Sequence, residues 1–154
     1  MVVMQPHLLM RRIDTLRQRL IMQSLAGLGM SLGQPKILEC LANLGESDQK
    51  TIARYCAIEP ATCSALLRRM EEAGLVDRSR HEGNHRSVFI SLTPTGRELA
   101  VRVKQAVDEV EDDMMRGMSP SDRERFVDLL EQGFDNLNDA AEARTRKDDG
   151  DPIE

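Results

Sequence analysis

The chain has 154 residues, 40% apolar and 31% charged, which suits one domain with a core or two small lobes sharing one. No apolar run is long enough to span a bilayer, so no membrane partner is expected. Three cysteines, odd in number and widely spaced, argue against a secreted disulfide framework and for a reducing cytoplasm.

The net charge of −5 hides an asymmetry. Residues 1–107 carry 15 Lys/Arg against 10 Asp/Glu, whereas residues 108–154 carry 6 against 16. The basic part can approach phosphate; the acidic part cannot.

Leu9, Ile13, Leu16 and Leu20 recur at helical steps and predict a first helix over roughly residues 6–26. "GLGMSLG" breaks it. Ser31 with Gln34 reads as a capping box, and Pro35 is tolerated in a first turn, so a second helix follows with Ile37, Leu38 and Leu41 inward. Asp48 is an N-cap for a short third helix with Ile52, Ala53 and Cys56 inward. Pro60 starts a fourth, "PATCSALLRRMEEAG", with Cys63, Leu66, Leu67 and Met70 inward and Gly74 as its stop. The short gap between the third and fourth helices is the spacing of a helix-turn-helix.

The period then changes to two. "LVDRSR" and "SVFISLT" read as the strands of a hairpin, with Val88, Ile90 and Leu92 on one face. Thr93-Pro94 caps a fifth helix (Leu99, Val103, Ala106, Val110, Met114). Ser119-Pro120 caps a sixth (Phe126, Leu129, Leu130, Phe134, Leu137). The tail after Ala143 is charged and apolar-poor, and disorder is expected there.

Between the two strands lies His81-Glu82-Gly83-Asn84-His85, which spells the H-E-x-x-H of zinc peptidases. That motif works on a helix, where two His residues four apart share a face. Gly83-Asn84 favours a turn, and strand-like sequence flanks it, so no metal site is expected. As a hairpin tip carrying Arg80, His81, His85 and Arg86, the segment has the shape and charge to enter a minor groove. The plain alternative is a solvated loop.

On the fourth helix, the face opposite the apolar set presents Ala61, Ser64, Ala65 and Arg68, with Thr62 and Arg69 on its flanks. Small and hydroxylated residues near the N-terminus let bases come close. Arg68, one turn on, can reach phosphate or a guanine edge. The helix N-terminus adds positive potential and free N–H groups. The carboxylates of 108–154 alternate with apolar positions, which is a solvated helix face rather than an acid–base pair, so no enzyme and no cofactor are expected.

At this point the chain resembles the MarR-type winged-helix transcriptional regulators, through "GQPKILECL", "QKTIARYCAIEPATCSALLRRMEEAGLV" and "RSVFISLTPTGREL" taken together. The resemblance implies a mainly α fold with a small β-hairpin wing. Residues 31–93 would form the winged helix-turn-helix, residues 1–30 and 94–143 a helical dimerisation domain, and residues 144–154 the tail. It implies a homodimeric repressor on a pseudo-palindromic operator in double-stranded DNA. The recognition helix would use Ala61, Thr62, Ser64, Ala65 and Arg68; the wing would use Arg80, Asn84, His85 and Arg86; Gln49 would sit near phosphate. The family's wing pattern is Asp-x-Arg, whereas this chain has Asn84-His85-Arg86, so the charge that would hold the arginine is missing.

Many members of that family release DNA when a small, often aromatic, effector binds between the lobes; here Met10, Arg17 and Met30 are the candidates. Cys56 and Cys63 fall inward, where a cysteine packs as a small hydrophobe, and Cys40 is undecided. The rival reading is a winged-helix module that binds protein instead of DNA.

Overall fold

The computed structural model describes residues 5–80 and 88–148. Among them the elements run α1 (Pro6–Ser24), α2 (Gln34–Leu44), β1 (Ser47–Asp48), α3 (Gln49–Tyr55), α4 (Pro60–Glu72), β2 (Val76–Ser79), β3 (Phe89–Leu92), α5 (Pro94–Met114) and α6 (Pro120–Asp148). The mainly helical fold with a small antiparallel sheet matches the expected class.

Local chemistry sets most helix starts. The Asp48 carboxylate accepts the Thr51 N–H at 2.7 Å and caps α3. The Thr93 hydroxyl accepts the Gly96 N–H at 3.0 Å ahead of α5. Ser119 accepts the Asp122 N–H at 3.2 Å ahead of α6. The expected capping box before α2 is only half made. Gln34 Oε1 accepts the Ser31 N–H at 2.8 Å, but the buried Ser31 hydroxyl has no hydrogen-bond partner. Gly33, at φ 95°, is the residue that precedes the helix. A Cβ there would stand 2.9 Å from Leu66 Cδ1, so close approach to α4 decides where α2 begins.

The three strands form an antiparallel sheet in the order β1-β3-β2. Val76 pairs with Leu92 and Ser79 with Phe89, as a hairpin requires. The sequence reading missed β1, whose Ser47 and Asp48 pair with Ile90 and Phe89. Two residues carry no period, so only the pairing reveals a strand.

The chain divides into two compact units, residues 1–111 and 112–154. The core of the first gathers Ile37 and Leu38 of α2, Ile52 of α3, Leu67 and Met70 of α4, and Ile90 of β3. Ile21, Leu25, Val103 and Val107 belong to the same cluster, so the end of α1 and much of α5 share one core with the winged helix. In the second unit α6 runs on to Asp148, past Ala143, where a disordered tail was expected to begin. An Arg146–Glu142 pair at 3.0 Å, four residues apart, supports that last stretch.

Leu75 joins the parts of the winged helix. Its N–H bonds the Met70 carbonyl at 2.8 Å, and its carbonyl accepts the Thr93 N–H at 3.1 Å. The Thr93 hydroxyl donates to the Gly74 carbonyl at 2.7 Å. Gly96, on the first turn of α5, lies against this junction; a Cβ there would stand 2.0 Å from the Leu75 oxygen.

Gly96→Ala is therefore expected to cost about 1–3 kcal/mol, the usual cost of overpacking, read as a lower denaturant midpoint. An unchanged midpoint would show that the junction gives way freely. The Asp48 cap is expected to be pH-dependent. Hydrogen bonds from Thr51, and then from Lys50, hold its carboxyl below the ordinary aspartate value. Its stabilisation is thus fully present above that ordinary value and is lost as pH falls through the folded one. Asp48→Ala should cost about 1 kcal/mol at neutral pH, and the gap to the parent chain should close on acidification.

Candidate nucleic-acid interface and adjoining cleft

α3 ends at Cys56, and the next residue, Ala57, takes φ 51°. This left-handed turn re-aims the chain so that α4 starts at Pro60. α4 is held by one face. Cys63, Leu66, Leu67 and Met70 are buried, while Ala61, Thr62, Ser64, Ala65 and Arg68 are exposed. All five residues expected to read DNA therefore share one open side of a rod packed along its other side. Pro60 has no N–H, and the first-turn N–H groups beyond it point outward from the helix start.

Gln49 Nε2 reaches the Pro60 carbonyl at 3.4 Å, which places Gln49 beside the head of α4. Lys50 and Arg54 line the same shallow groove and are exposed. Sequence reading passed over both. Their position in "QKTIARYC", at and one turn beyond the start of a helix whose inner face was already assigned, was the available signal. At the far end of α4, Arg78 Nε meets Glu71 Oε2 at 2.7 Å, so one of the two carboxylates there is paired. Arg80 follows β2 and is exposed. Asn84, His85 and Arg86, and His81 of the H-E-x-x-H string, lie outside the described residues. The string falls between two strands that pair at Ser79 and Phe89.

A cleft of about 240 Å³ opens between α1, α2 and the end of α3. Of the three expected effector residues, Arg17 lines it. Met10 does not; it is 53% exposed on α1. Met30 does not either; it packs against the core. Lys36, Glu39, Tyr55 and Cys56, not singled out for this cleft from the sequence, form part of its wall. Arg17 lies 3.6 Å from both Asp14 and Glu111, so its charge is already shared. Burial, followed by the nearby Glu111 carboxylate, raises Glu39 above its ordinary value. The Tyr55 hydroxyl accepts a bond from Asn43 Nδ2 at 2.8 Å, which fixes the ring at the cleft mouth.

Among the described residues no group of three His, Cys, Asp or Glu is placed to hold a metal ion, and no helix is long and apolar enough to cross a membrane.

Comparison with known proteins agrees with this geometry. Residues 30–88 match the MarR family model. An HTH-type transcriptional repressor of Mycobacterium tuberculosis is 25% identical over 124 residues, 80% of this chain and 89% of the relative. The crystal structure of a MarR-family transcriptional regulator from Silicibacter pomeroyi superposes with a TM-score of 0.76 at 26% identity, covering 84% of this chain and 87% of that one. BpsR of Bordetella bronchiseptica, whose DNA binding is regulated by 6-hydroxynicotinic acid, shares the fold at a TM-score of 0.74 and 24% identity, covering 85% and 94%. Residues 30–88 are thus a MarR family domain, within a chain that has the fold of the MarR transcriptional regulators.

Proposed function

We propose that this protein is a sequence-specific DNA-binding repressor that acts as a homodimer and responds to a small aromatic ligand. The observation that carries the reading is the two-sided burial of α4: a sealed inner face and a bare outer face running from Ala61 to Arg68. Small side chains at the head of the helix allow close approach to base edges, and Arg68 supplies a bidentate donor. Lys50 and Arg54 add positive charge beside the helix start, where phosphate is favoured. Arg80 and the wing residues Asn84, His85 and Arg86 would meet the neighbouring minor groove.

Uncovered apolar side chains support a second copy. Leu9, Leu16 and Leu20 on α1 stay exposed, as do Leu129, Leu130, Phe134 and Leu137 on α6, with Phe134 at 65%. Rows of this kind are rare on a monomer surface. A twofold pair of recognition helices would read half-sites about one helical turn apart.

The cleft beside Arg17, Lys36 and Tyr55 is the site in which such a ligand would act. The 6-hydroxynicotinic acid of BpsR is a flat aromatic acid, and Lys36, with Arg17 if it exchanges its Asp14 and Glu111 partners, would meet the carboxylate of such a ligand. To regulate, the ligand must bind one arrangement of the reading heads better than another.

The test is selection of bound sequences from random DNA, followed by titration at several salt concentrations. Binding should weaken steeply with salt. Arg68→Ala should lose about 1–3 kcal/mol, roughly 5- to 150-fold, on the selected sequence. A chain that shows no salt-dependent DNA binding would be a protein-binding winged helix instead. In sedimentation the parent chain should run as a dimer, and Phe134→Asp should shift it toward monomer; a parent chain that stays monomeric removes the twofold reading.

A further inference from the structure

A second concavity, of about 420 Å³, lies where the end of α2, β3 and the first half of α5 meet. It shares no lining residue with the cleft beside Arg17. Its floor is aliphatic: Leu41, Leu92 and Ala100 are buried there, while Val101, which also lines it, is 58% exposed. No aromatic ring is among its lining residues.

Two cations of α5, Arg97 and Lys104, belong to this trough. Two helical turns separate them, or about 10.5 Å, which keeps them on one side of the helix. They differ in what holds them. Lys104 Nζ meets both carboxylate oxygens of Asp108, at 2.6 and 2.8 Å, so its charge is matched on its own helix. Arg97 Nη1 donates to the Leu92 carbonyl at 2.7 Å, a neutral acceptor that steadies the guanidinium against the end of β3. Among the described residues Arg97 forms no ion pair. Glu46, the carboxylate in the lining, receives the Ser79 hydroxyl at 3.3 Å.

This arrangement asks for a ligand with one anionic head and an apolar body. A guanidinium holds a carboxylate through two parallel N–H bonds, and Leu92 engages Nη1, which leaves Nε and Nη2 for such a fork. The head belongs at Arg97 and not at Lys104, because Lys104 already has its carboxylate. The body must then lie over Leu92, Ala100 and Val101, where the surface is aliphatic and long in the direction of the helix. We propose that this trough binds an aliphatic monocarboxylate, its carboxylate on Arg97 and its alkyl chain laid along α5 toward Lys104. The site depends neither on the DNA-binding reading nor on the aromatic ligand of the other cleft.

Each methylene taken out of water should tighten binding about fourfold. The gain should level off once the chain reaches the Lys104–Asp108 pair, where a longer tail would meet charge instead of carbon.

The full-length protein, with its Leu, Val and Ile methyl groups labelled, would be titrated with butanoate, hexanoate, octanoate and decanoate and followed by methyl NMR. Octanoate is expected to shift Leu41, Leu92 and Val101 to saturation and to leave Ile21 and Val107, which line the other cleft, in place. Octanamide, uncharged and of the same length, should bind roughly 10- to 150-fold more weakly, the worth of a hydrogen bond to a charged group. Arg97→Gln should weaken octanoate by a similar factor, and Arg97→Lys should restore part of it. If Arg97→Gln does not fold, the comparison of octanoate with octanamide on the parent chain decides by itself. Equal binding of the amide would overturn the role of Arg97. Shifts confined to Ile21 and Val107, or shifts that never saturate, would overturn the site. Benzoate moving the same three residues as tightly as octanoate would overturn the aliphatic class.

Discussion

The end of α4, the head of β2, the foot of β3 and the first turn of α5 meet at Leu75. Its N–H closes the helix onto Met70, and its carbonyl receives Thr93 at 3.1 Å. Thr93 in turn binds Gly74 and caps α5, so one threonine serves two elements. Gly96 lets α5 come within a distance that no side chain would permit. The consequence is that the far end of α4 is tied to the sheet and to the long helix at once. Two hydrogen bonds from Thr93 thus link the head of α5 to the turn that follows α4.

At its other end α4 is held differently. Ala57 in a left-handed conformation and Pro60 at the first helical position set the direction of the rod, and Gln49 spans back to Pro60. Between these ends only the apolar face is gripped. That division of labour leaves the outer face free of structural duty, with small residues first and Arg68 after them. The Arg78–Glu71 pair ties β2 to α4 and offsets one of the two carboxylates that would oppose a polyanion. Lys50, Arg54 and Glu59 share the groove at the front of α4, and at the back Glu71 is paired.

The cleft and the cysteine cluster border the same piece of backbone. Cys56 belongs to the cleft wall and to the cap of α3, and it shares the core cluster with Cys40 and Cys63. Arg17 and Glu39 bring α1 and α2 to the cleft, and the Arg17–Glu111 contact extends that neighbourhood to α5. The cleft wall and the end of α3 therefore share one residue.

What was readable in the linear chain was what neighbouring residues decide among themselves. The caps at Asp48, Thr93 and Ser119 were legible because a side chain bonds a backbone N–H three residues on. The helical faces of α2 and α4 and the hairpin were legible because burial repeats with the period of the element. The five outer residues of α4 followed from that period by subtraction. Three things were not legible: the two-residue β1, the gathering of Cys40, Cys56 and Cys63, and a core that takes in the end of α1 and much of α5. Each joins residues distant in sequence, and no local pattern marks such a pairing before the chain has closed on itself. The same holds for Ser31, whose chemistry reads as a cap until the approach of Gly33 to Leu66 moves the start of the helix. The chain by itself determined the helices, the hairpin strands and the exposed face of α4, because these are matters of period and short-range hydrogen bonding. Tertiary structure alone decided which cysteines share the core, which side chains share the cleft and where the core ends, because those depend on contacts made across the fold.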